Sequence, residues 1–149
     1  MISTMVLHLA LIGANVPEST PLADRPAAKT VAKLVSCEDY DHTQAEADLF
    51  HAVNAERKAH GLQPVEWDGR MVVFARKHTL RQCSSGMHHS GAGYNENVAM
   101  GQPDTQDVMN TWMNSSGHRA NILNPGVRRF GGSGFRGRAG TLWTQVFSR

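Results

Sequence analysis

At 149 residues the chain has room for one domain with a real core, but not for two comfortable ones. Its apolar fraction of 40% and charged fraction of 19% are those of an ordinary globular protein, and a net charge of +2 gives no ground for expecting nucleic-acid binding. The charge is unevenly spread: no acidic residue follows Asp107, whereas Arg119, Arg128, Arg129, Arg136, Arg138 and Arg149 do. Solvated loop and hairpin positions are the expected place for these arginines, ahead of a face for an anionic wall polymer or lipid headgroup.

Met5 to Ala14 form a short apolar run, about half of what a bilayer-spanning helix needs, so no transmembrane segment is expected. The run reads as a degenerate signal segment over residues 1–14 that lacks the usual basic start, although a mis-assigned start codon accounts for the defect equally well. Residues 15–42 read as a linker because Pro17, Pro21 and Pro26 break any helix, with room for one helical turn over Lys29 to Val35. The folded domain is then 43–149.

Thr43 and Glu46 have the spacing of a capping box, and a helix follows to His60, with Leu49, Phe50 and Val53 on one face and Gly61 as its stop. Leu62 to Trp67 form an extended link. Asp68 caps a second helix to about Cys83, with Met71, Phe74, Ala75 and His78 as its inner stripe. If two helices joined so briefly lie antiparallel, the end of the second returns to the start of the first and brings Cys83 towards Cys37. The two cysteines are then one disulfide, suited to an oxidising compartment, or two free thiols; no CxxC pattern is present.

A Gly/Ser/His-rich loop covers Ser84 to Tyr94, and Asn97 to Met100 form a short strand. Asp104 caps a third helix with Val108, Met109, Trp112 and Met113 inward, stopping near Gly117; a further turn over His118 to Leu123 ends at Asn124-Pro125-Gly126. The tail is a hairpin: Phe130 to Phe135 is extended though Gly-rich, Arg136 to Gly140 turns, and Leu142 to Phe147 alternates sides. Helices followed by a hairpin give an α+β layered domain.

Four segments carry a resemblance. They are Asn54-x-x-Arg57-x-x-x-Gly61-Leu62-x-Pro64-Val65-x-Trp67-Asp68; His89-Ser90 with Asn95-Glu96-Asn97-Val98-Ala99; Trp112-x-x-Ser115-Ser116-Gly117-His118-Arg119-Ala120-Asn121-Ile122-Leu123; and Trp143-Thr144-Gln145-Val146-Phe147. In order and separation they resemble the bacterial type of the CAP superfamily (cysteine-rich secretory proteins, antigen 5 and pathogenesis-related proteins), over about residues 43 to 148. The resemblance implies a three-layer α-β-α sandwich around a small antiparallel sheet, a secreted, extracellular or periplasmic location, and a cleft that in eukaryotic members has two histidines and two glutamates. His89 and Glu96 match the first of each. Ser115 and Leu142 stand where the other glutamate and histidine are expected, Asn95 replaces a glycine, and His118 lies in the Ser-Gly-His-Arg motif of bacterial members.

His89, Glu96 and His118 are therefore the candidate cleft residues. Imidazole and carboxylate are zinc ligands, so His89 and His118 are candidate metal ligands; the alternative is a hydrogen-bonded network in which Glu96 accepts from His118 or backbone amides. No HExxH helix supports a metalloprotease, and neither Ser90 nor Ser115 sits in a Gly-x-Ser-x-Gly elbow. His78 is expected as a core histidine, His51 and His60 as surface residues, and His88 as pointing away from the cluster. Asn54, Arg57, Arg119 and Asn121 are expected to tie loops, and Trp67, Trp112 and Trp143 to anchor the core. The leading expectation is a non-enzymatic monomer that binds a lipid, cell-wall component or protein; the rival is a zinc-dependent hydrolase or peptidase using the same cleft.

Overall fold

The computed structural model describes residues 37–38, 42–137 and 140–149. The signal-like run and most of the linker lie outside the described residues. In chain order the elements are β1 (Cys37–Glu38), α1 (His42–Ala59), β2 (Glu66–Trp67), α2 (Gly69–Ser85), β3 (Asn95–Met100), α3 (Thr105–Met113), α4 (Ser116–Ile122), β4 (Arg129–Gly137) and β5 (Gly140–Ser148). Each helix boundary has a local cause. Asp68 accepts from the amides of Arg70 and Met71, Asp104 accepts from Asp107 N, and Gly61 takes a φ of 70° just past α1. The third helix ends earlier than its pattern suggests, at Met113, and Gly117 falls inside the separate helix α4.

The sheet has the order β1-β4-β5-β3, with β2 paired to β4 beside this path. β3, β4 and β5 form its antiparallel body, in register from Glu96↔Val146 to Phe130↔Phe147. The two-residue strands β1 and β2 cover opposite ends of the outer edge of β4, β1 antiparallel and β2 parallel. The opposite edge, on β3, is closed by side chains: Glu96 O accepts from Asn121 Nδ2 and Val98 O from Trp112 Nε1. Such capping removes an unpaired strand edge from solvent.

β5 is buried along nearly its whole length because helices cover both faces. Trp143 and Phe147 join Leu49, Val53, Val108, Trp112 and Phe130 in the main core beneath α1, α3 and α4. Val146 faces the other way, with Met71 and Ala75 of α2. The glycines of β4 set these distances. A Cβ on Gly131 would lie 2.3 Å from the backbone carbon of Met71, so only glycine lets α2 sit this close to the strand. The two long helices therefore pack on opposite sides of the sheet.

Two expectations need correction. Glu46 is fully buried and forms a two-pronged ion pair with Arg76 of α2, whose Nη2 lies 2.6 Å from Oε2, and α1 already begins at His42. Its carboxylate links α1 to α2, so Thr43 and Glu46 do not act as a capping box. Trp67 is 44% exposed, held edge-on to Phe50 at 5.6 Å on the peripheral strand β2, and is no core anchor; Trp112 and Trp143 are. The exposed arginines of the C-terminal third that are described, Arg119, Arg128, Arg129, Arg136 and Arg149, lie on the surface as expected.

Candidate functional site

Glu96 sits in β3 opposite Val146, and so on the sheet face covered by α2. Oε1 of its carboxylate faces two partners: His89 Nδ1 at 2.9 Å and the Ser90 amide at 2.8 Å. Burial works to raise its pKa, but the neighbouring Ser90 hydroxyl and amide and the His89 ring outweigh it, and the carboxyl titrates below its ordinary range. An ionised carboxylate only accepts hydrogen bonds, so His89 Nδ1 must carry the proton. In the neutral ring Nε2 is then a lone-pair acceptor. The His89 side chain is 62% exposed while that of Glu96 is 5% exposed, so the couple has a covered base and an open tip.

The loop that presents His89 is fixed from behind. His88 is gripped at both ends of its backbone by α2: His78 Nε2 lies 2.9 Å from His88 O, and Gln82 Oε1 accepts from His88 N at 3.3 Å. Residues 78 and 82 are one helical turn apart and so reach the same peptide segment. Gln82 Nε2 also donates to Thr144 Oγ1, as does Thr79 Oγ1, so the grip continues into β5. His78 is fully buried, as expected of a core histidine, and burial foremost lowers its pKa, which keeps the ring neutral. Its donation to a backbone carbonyl was not legible in the helical pattern.

His118 is placed differently. Asn97, facing away from α2 opposite Gln145, donates from Nδ2 to His118 O at 3.1 Å, which draws α4 to that side of β3. Burial, and then the neighbouring His89, lower the His118 pKa, but among the described residues it shares no hydrogen bond with His89 or Glu96, and its Nδ1 is buried without a partner. The structure thus brings His89 and Glu96 into contact and leaves His118 nearby. Glu96 accepts from His89 and Ser90, not from His118. Among the described residues no three of His, Cys, Asp and Glu come together as a metal site. Catalytic zinc usually has three protein ligands, which this donor set does not supply.

The couple opens on a cleft of about 310 Å³ walled by the loop from His89 to Asn95 and by Asn121. Gly91 and Gly93 take φ values of 69° and 76°, which let the wall turn without side chains over the opening. Tyr94 is held edge-on to Phe74 at 4.9 Å. The loop-tying roles expected of Asn54 and Arg57 are met: Asn54 brackets Val65 at both N and O, and the buried Arg57 donates to the carbonyls of Gln63, Ile122 and Asn124. Asn121 links α4 to β3 through Glu96 O and Asn97 Oδ1, and Arg119 reaches the exposed His60.

Comparison with known proteins agrees with this arrangement. The model of the CAP family, described as the cysteine-rich secretory protein family, matches residues 50–147. A secreted protein of Candida albicans, RBT4, is 33% identical over 109 residues, covering 70% of this chain and 30% of its own. The Bacillus subtilis protein YkwD is 33% identical over 122 residues, covering 68% and 46%. The chain thus spans less than half the length of these curated relatives. Among solved structures, an extracellular Bacillus anthracis protein containing an SCP domain aligns with a TM-score of 0.62 at 24% identity, covering 72% of this chain and 41% of its own. A Staphylococcus aureus cysteine-rich secretory protein aligns with a TM-score of 0.64 at 20% identity, covering 75% and 40%. Both likenesses are of fold. With the family model matching well over half of its length, the chain belongs to the CAP family of cysteine-rich secretory proteins.

Proposed function

We propose that this chain is a secreted CAP module that binds a ligand through the His89–Glu96 cleft and does not cleave it. The observation that carries the reading is the couple itself: a buried carboxylate holds an exposed imidazole at the mouth of an open cleft, and no third metal-ligating side chain completes it among the described residues. Secretion is supported by the secreted and extracellular relatives, and among the described residues no helix is long and apolar enough to cross a membrane.

The same reading includes a Cys37–Cys83 bridge. Strand β1 sets Cys37 opposite Gly137, Cys83 lies near the end of α2, and no free cysteine occurs among the described residues. Intact-mass measurement with and without reductant tests it: a bridge predicts a gain of about two hydrogen masses on reduction.

The test of the cleft is zinc titration of the purified wild type and of His89→Ala/His118→Ala, followed by peptidase and esterase assays with and without chelator. The reading predicts no stoichiometric zinc and no chelator-sensitive turnover. One zinc per chain, lost in the double variant and required for hydrolysis, would replace it with a metallohydrolase.

A further inference from the structure

We infer that the ligand of this cleft is a non-anionic, hydroxyl-rich group of the carbohydrate type; the inference rests on the cleft being a ligand site, as proposed above. Three features of the lining support it, and each removes an alternative.

The first is charge. Among the described residues the lining holds one carboxylate, Glu96, and no lysine or arginine; the described arginines of the C-terminal third lie elsewhere. An anionic phosphate or carboxylate would enter beside a like charge with no cation to receive it. Like charges about 4 Å apart near a protein surface repel by roughly 4 kcal/mol. The second is the lack of long aliphatic side chains: beyond glycine, Ala92 and Tyr94 are the apolar residue types in the lining among the described residues, whereas acyl-chain sites are lined mostly by aliphatic and aromatic side chains. The exposed large apolar residues Trp67, Val73, Met87 and Met100 lie outside it.

The third is the surplus of acceptors. Glu96 lines the cleft, and its Oε2, itself buried, has no hydrogen-bond partner among the described residues. His89 presents Nε2 as a lone pair while Nδ1 is held by Glu96. Asn121 commits its Nδ2 to Glu96 O and Asn97 Oδ1, which leaves Oδ1 to accept. A cleft rich in acceptors favours a ligand that brings donors, and hydroxyl groups bring them without charge. The Tyr94 ring, braced by Phe74, supplies an apolar face for the C–H side of a sugar ring.

The experiment is a ¹H–¹⁵N chemical-shift titration of the labelled chain with a fixed set of probes: tetramers of β-1,4-N-acetylglucosamine, β-1,3-glucose and mannose, vesicles bearing a digalactosyl headgroup, inorganic phosphate, methylammonium, and phosphatidylglycerol vesicles. Saturable shifts at Ser90, Tyr94, Asn95 and Asn121 with at least one sugar support the inference. His89→Ala and Tyr94→Ala should weaken that binding by roughly five- to tenfold. A response to a free tetramer points to a polymer source, and a response to the glycolipid alone points to a lipid-borne sugar; both support the chemistry. Cleft shifts with phosphate, methylammonium or phosphatidylglycerol and with no sugar overturn the inference but leave the ligand-site reading standing. Silence of the cleft towards every probe overturns both.

Discussion

The two faces of one sheet are built on different terms, and the candidate site belongs to the more polar one. Under α1, α3 and α4 the sheet presents Phe130, Trp143 and Phe147 to Leu49, Val53 and Trp112, a continuous apolar core. Under α2 the same strands meet a small apolar cluster of Met71, Ala75 and Val146, and beside it a hydrogen-bonded set of Thr79, Gln82 and Thr144. The first face supplies stability mainly by apolar burial, with Asn97 and Gln145 as a buried hydrogen-bonded pair within it. The second holds polar groups at fixed positions, and through Gln82 and His78 it passes that order to the loop carrying His89. Positioning an exposed imidazole takes directional bonds, which an apolar core cannot supply.

Neighbouring residues of β5 can break this comparison. Trp143→Ala, on the apolar face, should cost about 4 kcal/mol in denaturant unfolding, because it opens a cavity that the surrounding rings cannot fill. Thr144→Val, one residue on, conserves volume but leaves the buried Gln82 amide without its acceptor and the Thr79 hydroxyl with Ala75 O alone, and should cost about 2 kcal/mol. Equal losses at the two positions would mean that the faces do not differ as described. His78→Leu should cost less, about 1 kcal/mol, because its one hydrogen bond is partly offset by gained apolar burial. That variant should nonetheless shift the His89 and Ser90 resonances, whereas His78→Gln, which keeps a donor near the Nε2 position, should largely restore them.

Acid is the gentlest probe and acts in two stages. His78 and His118 have lowered pKa values in the fold, so the unfolded chain binds protons more readily, and stability should begin to fall as pH drops below about 6.5. Glu96 is also lowered; its contribution is complete above its unfolded value of about 4.3 and is lost as pH falls from there through the folded pKa. Thermal unfolding across pH 3 to 8 checks the sequence of the two stages. His78→Gln should remove part of the first stage, and Glu96→Gln the second.

Much of the frame was legible because its signals are local. Asp68 and Asp104 announce helix starts, the apolar spacing of α1 and α2 marks inward faces, and the alternation of Leu142 to Phe147 marks a strand. The CAP-like motifs placed His89 beside Glu96. What escaped reading depends on partners distant in sequence. Glu46 looks like a capping residue until Arg76, thirty positions away, is brought to it. Trp67 reads as core because tryptophan usually is, yet it lies on a two-residue strand at the margin. His78 follows the apolar stripe, and nothing in that stripe shows that its ring holds His88. For His118 the motif gave proximity, but not that its ring shares no hydrogen bond with His89 or Glu96 among the described residues.

The central claim is that Glu96 fixes His89 with Nδ1 protonated and Nε2 open to the cleft, with no metal taking part. Long-range ¹H–¹⁵N spectra of the histidine side chains at neutral pH, recorded before and after one equivalent of zinc, test this directly. The account predicts the Nδ1–H tautomer for His89, lost on Glu96→Gln and unchanged by zinc. An Nε2–H tautomer, or a stoichiometric zinc-induced shift shared by His89 and His118, would contradict it.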